Sequence, residues 1–132
     1  MTSEGLPDTS VFMAREDGRE LRADRLPERS HVSAVTLAEL QAGVPAAPDT
    51  ATRQRRLVTA QLAAEVVPLP VDGAAAAQWA RLRVLVHEAG RGVGVSDLWI
   101  AAAAVAHGLP VVTQGSDVDA LDDLGLVDVL RV

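Results

Sequence analysis

The stretch VSDLWIAAAAVAHGLPVVT, Val95 to Thr113, decides the fold. From Ser96 onward it predicts a helix, Asp97 to His107, that is apolar on every side and therefore buried, because it has no polar face to turn to water. Gly108 closes that helix, since glycine adopts the left-handed conformation at little cost. Pro110 to Thr113 then reads as a short strand rich in β-branched residues. The apolar run itself, Leu98 to Ala106, is far shorter than the ~20 residues a membrane span needs, so no membrane association is expected.

Upstream, glycines at 90, 92 and 94 open the loop into this helix. Asp72 caps a long amphipathic helix reaching Glu88, with Trp79, Leu82, Leu85 and Val86 on its inner face. Val66 to Leu69 reads as a brief strand. Asp49 caps a helix from Thr50 to Ala64, and Gly43 ends another that begins at Val35 and carries Glu39. His31 to Ala34 is strand-like. The chain begins with a short apolar run, Gly5 to Pro7, then Asp8, then a helix from Ser10 to about Leu21 with Thr9 or Ser10 as its cap. Downstream of Thr113, Ser116 caps a short helix bearing Asp117 and Asp119, and Val127 to Val132 forms a last strand. Strand and helix alternate, which predicts a single α/β domain over residues 1–132 with a mainly parallel central sheet.

Composition narrows the chemistry. Cysteine is absent, which removes disulfides, thiolate metal sites and thiol nucleophiles together, so a metal must be held by oxygen or imidazole. All 12 basic residues are arginine, leaving no lysine for a Schiff base or a phosphate clamp. Residues Met1 to Pro7 lack the basic start and apolar stretch of a secretory signal, so a cytoplasmic location is expected. The net charge of −6 argues, taken alone, against a nucleic-acid partner. A metal resolves that conflict, because a bound cation reverses the local sign where acids gather, while Arg53, Arg55, Arg56 and Arg91 remain free to meet phosphates.

In parallel α/β sheets ligands bind beyond the carboxyl ends of the strands, where strand-to-helix loops converge. Asp8 and Asp117 follow strands, Asp97 sits in the first turn of the buried helix, and Glu39 lies about one turn into its own. Two carboxylates about 4 Å apart repel by about 1 kcal/mol in water and about 4 kcal/mol at an effective dielectric near 20. A cluster of them needs a counter-charge, and Mg2+ or Mn2+ supplies it while preferring oxygen ligands and keeping water molecules.

The phrases around these acids are more specific than their number. Asp8-Thr9-Ser10, Val32 to Leu40 (VSAVTLAEL), Val95 to Ala102 (VSDLWIAA) and Gly108 to Thr113 (GLPVVT), in that order, resemble the PIN-domain ribonucleases, in particular the VapC toxins of toxin-antitoxin pairs. The resemblance implies a three-layer α/β/α sandwich and Mg2+- or Mn2+-dependent cleavage of RNA. It also implies frequent homodimerisation and inhibition by a cognate VapB-type antitoxin. By position, Asp8 and Asp97 look like the principal metal ligands, Glu39 like the third acid, and Thr113 like the hydroxyl residue before the fourth. At the fourth acid the chain departs from the pattern: Gly115 and Val118 replace the usual neighbours, and Asp117 fits best with Asp119 as substitute. Pro7 is a second departure, which suggests that the first strand ends there or lies at an edge.

Each residue has a plainer role to set beside the functional one. Asp8 is also a good cap for the following helix, and Asp97 a dipole-favoured acid in a first turn. Glu39 is harder to explain structurally, since Val35, Leu37 and Leu40 around it imply partial burial, where a lone charge is unfavourable. Asp72 is a cap. Trp79 and Trp99 read as core, and the histidines at 31, 87 and 107 show no ligand spacing. Among rival functions, a receiver domain needs a lysine, and a dehalogenase-type phosphatase needs an aspartate where Ser10 stands. A PIN-like binding module with weakened catalysis, acting through a protein partner, is the remaining alternative.

Overall fold

The computed structural model describes residues 3–132; Met1 and Thr2, part of the stretch read for a signal, lie outside them. Four strands form one parallel sheet in the order β2-β1-β3-β4. They are β1 (Glu4–Pro7), β2 (Arg29–Ser30), β3 (Val111–Thr113) and β4 (Val129–Arg131). The helices are α1 (Thr9–Glu16), α2 (Ala34–Gly43), α3 (Thr50–Ala63), α4 (Gly73–Glu88), α5 (Val95–Ala106) and α6 (Asp119–Asp123). None is long and apolar enough to cross a membrane.

Successive strand residues face opposite sides. Leu6 and Val111 point into a core made with Leu82 and Val86 of α4, Leu98, Ile100 and Ala101 of α5, and Leu121 of α6. Val112 points the other way, against Val11 of α1 and Val132. The result is the expected α/β/α sandwich. The helix read at Asp97 to His107, α5, is its centrepiece, with Ile100, Ala101, Ala102 and Ala104 fully covered. A third cluster joins α2 and α3 to Val32 through Leu40, Ala60 and Ala63. Trp79 and Trp99, both part-buried, stack on each other at 5.0 Å between α4 and α5, and Trp79 packs against the core.

Several expectations are corrected. The strand expected at His31 to Ala34 lies at Arg29–Ser30, and Pro7 is the reason. His31 N–H donates to the Gly5 carbonyl, and the next bond of a parallel ladder would come from an N–H at position 7, which proline lacks. Pro7 thus ends β1, which is nevertheless an inner strand, between β2 and β3. The strand expected at Val66 to Leu69 reduces to a bridge between Ser33 and Leu69. Helix α1 stops at Glu16, short of Leu21, because Gly18 takes φ +71° and Arg19 N–H turns back to the Ala14 carbonyl. The last strand is confined to Val129–Arg131. Asp117 precedes α6 instead of riding on it, and Ser116 makes no side-chain cap there; only its carbonyl accepts, from Asp119 N–H.

Candidate active site

Asp8 stands where β1 gives way to α1, and it, not Thr9 or Ser10, is the N-cap of that helix. It is 3% exposed, yet its carboxylate is well partnered. Oδ1 accepts from Ser10 N–H at 3.0 Å and from the Ser10 hydroxyl, and Oδ2 accepts from the Thr113 hydroxyl at 2.6 Å. The hydroxyls are fixed in turn: Gln114 N–H donates to Ser10 Oγ at 3.0 Å and Gly115 N–H to Thr113 Oγ1 at 3.1 Å. The end of β1 and the loop after β3 are thereby tied together through one carboxylate. Burial pushes the Asp8 carboxyl up, against the opposing pull of the Ser10 and Thr113 hydrogen bonds.

Asp97 lies in the first turn of α5, half-buried, and its carboxyl is pushed up to about 6. Burial is the largest cause, followed by the negative charges of Asp117, Glu39 and Asp8 in that order. All four acids named from the sequence therefore lie within electrostatic reach of one point. Glu39, part-buried on α2, accepts from the Thr9 hydroxyl at 2.7 Å. Asp117 is exposed. A Cβ built on Gly115 would lie 3.8 Å from Asp117 Oδ2, 3.9 Å from Ser10 Cβ and 4.0 Å from Thr113 Oγ1, so the Asp117 carboxylate and two residues that hold Asp8 all border the space beside Gly115.

Asp119, the substitute, is engaged elsewhere, accepting from Arg131 Nη2 at 2.6 Å. The arginines thought free are partly occupied: Arg91 pairs with Asp123 at 3.1 Å, Arg56 donates to the Gly43 carbonyl and Arg55 to Thr52. The charges that act most on the Asp97 carboxyl are those of the other three acids. Among the described residues, no three acids or histidines stand close enough together to enclose an ion. The acids surround the site without closing on it. Thr9 and Arg131 were missed as contributors. The phrase Asp8-Thr9-Ser10 held a signal for the first, whereas nothing local to Arg131 indicated the second.

A PIN domain model matches residues 6–124. Ribonuclease VapC5 of Mycobacterium tuberculosis (strain ATCC 25618 / H37Rv) is 49% identical over 128 residues, covering 97% of this chain and 95% of that protein. Ribonuclease VapC4 of the same strain is 41% identical over 125 residues, covering 94% and 95%. Among solved structures, a member of the VapBC family of toxin-antitoxin systems, VapBC-5 from Mycobacterium tuberculosis, superposes with a TM-score of 0.90 at 46% identity, covering 98% of this chain and 99% of that one. The family match over most of the chain, the high identity to VapC relatives and the shared architecture lead to one conclusion: this chain belongs to the PIN-domain family, in its VapC group.

Proposed function

We propose that this protein is a divalent-metal-dependent ribonuclease, the toxin of a toxin-antitoxin pair. The observation that carries the reading is the gathering of three other acids around Asp97, which together with burial pushes its carboxyl up to about 6. Such a cluster is unfavourable in the bare protein and becomes favourable around a cation. Its donors are all oxygens, which suits Mg2+ or Mn2+, ions that keep several waters of their own.

In this reading Asp8 and Asp97 hold the ion. Bound there, it would neutralise charge developing on a phosphoryl group and favour ionisation of a water molecule. The hydroxyls of Ser10 and Thr113 keep the Asp8 carboxylate in one orientation. The Thr9 hydroxyl does the same for Glu39, which with Asp117 orients the water that attacks the RNA phosphodiester. One P–O bond forms to that water, the P–O bond to the leaving nucleoside oxygen breaks, and a proton passes to the leaving oxygen. The VapC relatives are named ribonucleases, in agreement with this chemistry.

A partner belongs to the same reading. Between α1 and α3 runs a groove of about 500 Å³ lined by Phe12, Val32, Val58, Leu62 and Val66, with Arg15, Glu16 and Arg55 at its margins. Val58 and Leu62 are 48% and 59% exposed. Contiguous exposed apolar surface with a polar margin marks a site for another protein, and a VapB-type antitoxin is the proposed occupant. A homodimer of the toxin completes the proposal. The catalytic test is direct: Asp97→Asn is expected to abolish RNA cleavage while the circular dichroism of the fold is retained. Cleavage by that variant at the wild-type rate would overturn the assignment. Weakened catalysis, the alternative, is less favoured because Asp117 stands within electrostatic reach of Asp97 with the other acids.

A further inference from the structure

Arg131 ends β4 and stands opposite Thr113 of β3 in the sheet register. Its guanidinium reaches over the loop that leaves β3. Nη1 donates to the Gly115 carbonyl at 3.0 Å, and Nη2 donates to Asp119 Oδ1 at 2.6 Å and to Asp122 Oδ2 at 3.2 Å. Gly115 and Asp119 flank Asp117, two residues before it and two after. Asp117 is itself exposed, so its placement beside Ser10 and Thr113 depends on the loop that carries it.

We infer that Arg131 is the positioning residue for Asp117: its guanidinium clamps the backbone before that acid and the start of α6 after it, and so holds the acid against the Asp8 network. The inference rests on the proposed reading of Asp117 as the fourth acid. A planar guanidinium is suited to the task because its donors lie in a rigid fork that can face a carbonyl and two carboxylates together, which an ammonium point charge cannot do. Single exposed ion pairs contribute little to stability. The consequence of the clamp is therefore expected in the geometry of the site more than in melting.

The test is a double-mutant cycle over Arg131→Met and Asp117→Asn, with folding checked by circular dichroism. Two quantities are read, RNA cleavage and Mn2+ affinity by calorimetry with the metal alone. Arg131→Met is expected to lower cleavage by roughly 10- to 100-fold, the scale of a misplacement approaching ~1 Å at a reacting group, to weaken Mn2+ binding, and to add no further loss on top of Asp117→Asn. Arg131→Lys is expected to restore little. If Arg131→Met does not fold, Asp119→Ala combined with Asp122→Ala removes the two carboxylate anchors after Asp117 and is expected to lower cleavage in the same direction. Asp17→Asn, which breaks the exposed pair with Arg19, serves as the control and leaves cleavage unchanged. Wild-type cleavage by Arg131→Met, or an undiminished further loss in the Asp117→Asn background, overturns the clamp alone. Wild-type cleavage by Asp117→Asn overturns the clamp together with the reading beneath it.

Discussion

At the scale of single residues, Asp97 sets function against stability. Its carboxyl is raised from 3.8 to about 6, so the folded chain holds that proton more tightly than the unfolded chain does. The metal-free fold therefore loses stability as pH rises from about 4 to about 6 and carries the whole cost above that range. For a half-exposed carboxylate, screened by solvent, the cost is about 1 kcal/mol. Asp97→Asn is expected to raise the melting temperature of the metal-free protein near neutral pH by roughly 3–5 °C and to leave it unchanged below pH ~4. A lowered melting point near neutral pH would contradict the electrostatic account. Mn2+ affinity of the wild type is expected to fall as pH drops through about 6, since the ligand must be ionised. The Asp8 network gives the opposite kind of variant. Thr113→Val removes a buried donor and leaves Asp8 Oδ2 unpaired, which should cost about 1–3 kcal/mol in urea unfolding as well as impairing cleavage.

At the scale of elements, glycines control two close approaches. A Cβ on Gly94 would stand 3.0 Å from Asp97 Oδ2, the far end of a side chain that can turn away. Gly94 has φ −58° and ψ 150°, which alanine adopts freely. Gly94→Ala is thus expected to keep the wild-type melting temperature while weakening Mn2+ binding, and unchanged binding would show that the Asp97 rotamer does not matter. A Cβ on Gly5 would meet Val112 Cγ2 at 2.7 Å and Pro27 Cγ at 3.1 Å, inside the sheet, where nothing can turn away. Gly5→Ala should destabilise by about 1–3 kcal/mol in urea unfolding.

Most elements were legible because they carry their own signals. Asp49 and Asp72 cap α3 and α4 as their positions suggested, and the apolar α5 is buried as its composition required. The strands were read less well, since their extents are set by neighbours. Pro7 cuts short the ladder to β2, and the Val66 to Leu69 segment meets only Ser33, facts of pairing that no local window contains.

At the scale of the whole molecule, the sheet order explains how acids distant in sequence come within electrostatic reach of one another. Inner strands β1 and β3 lie side by side, so Asp8 and the loop carrying Asp117 leave the same edge, and α5, packed across both, adds Asp97. The candidates, and the preference for Asp117 over Asp119, could be named from ordered phrases, but what holds their side chains could not. Asp119 is engaged by an arginine at the far end of the chain, and Glu39 accepts from Thr9, 30 positions away. On the outer surface, Leu62→Arg in the α1–α3 groove is expected to weaken binding of the co-expressed antitoxin in pull-down while leaving RNA cleavage intact. Retained binding would move the docking site elsewhere. The central claim, that these carboxylates form a metal-dependent nuclease site, is tested most directly by adding Mn2+ back to chelator-stripped protein and following RNA cleavage. The account predicts no cleavage in EDTA, saturable recovery with Mn2+ in the wild type and none in Asp97→Asn; cleavage that persists in EDTA, or recovers equally in the variant, would contradict it.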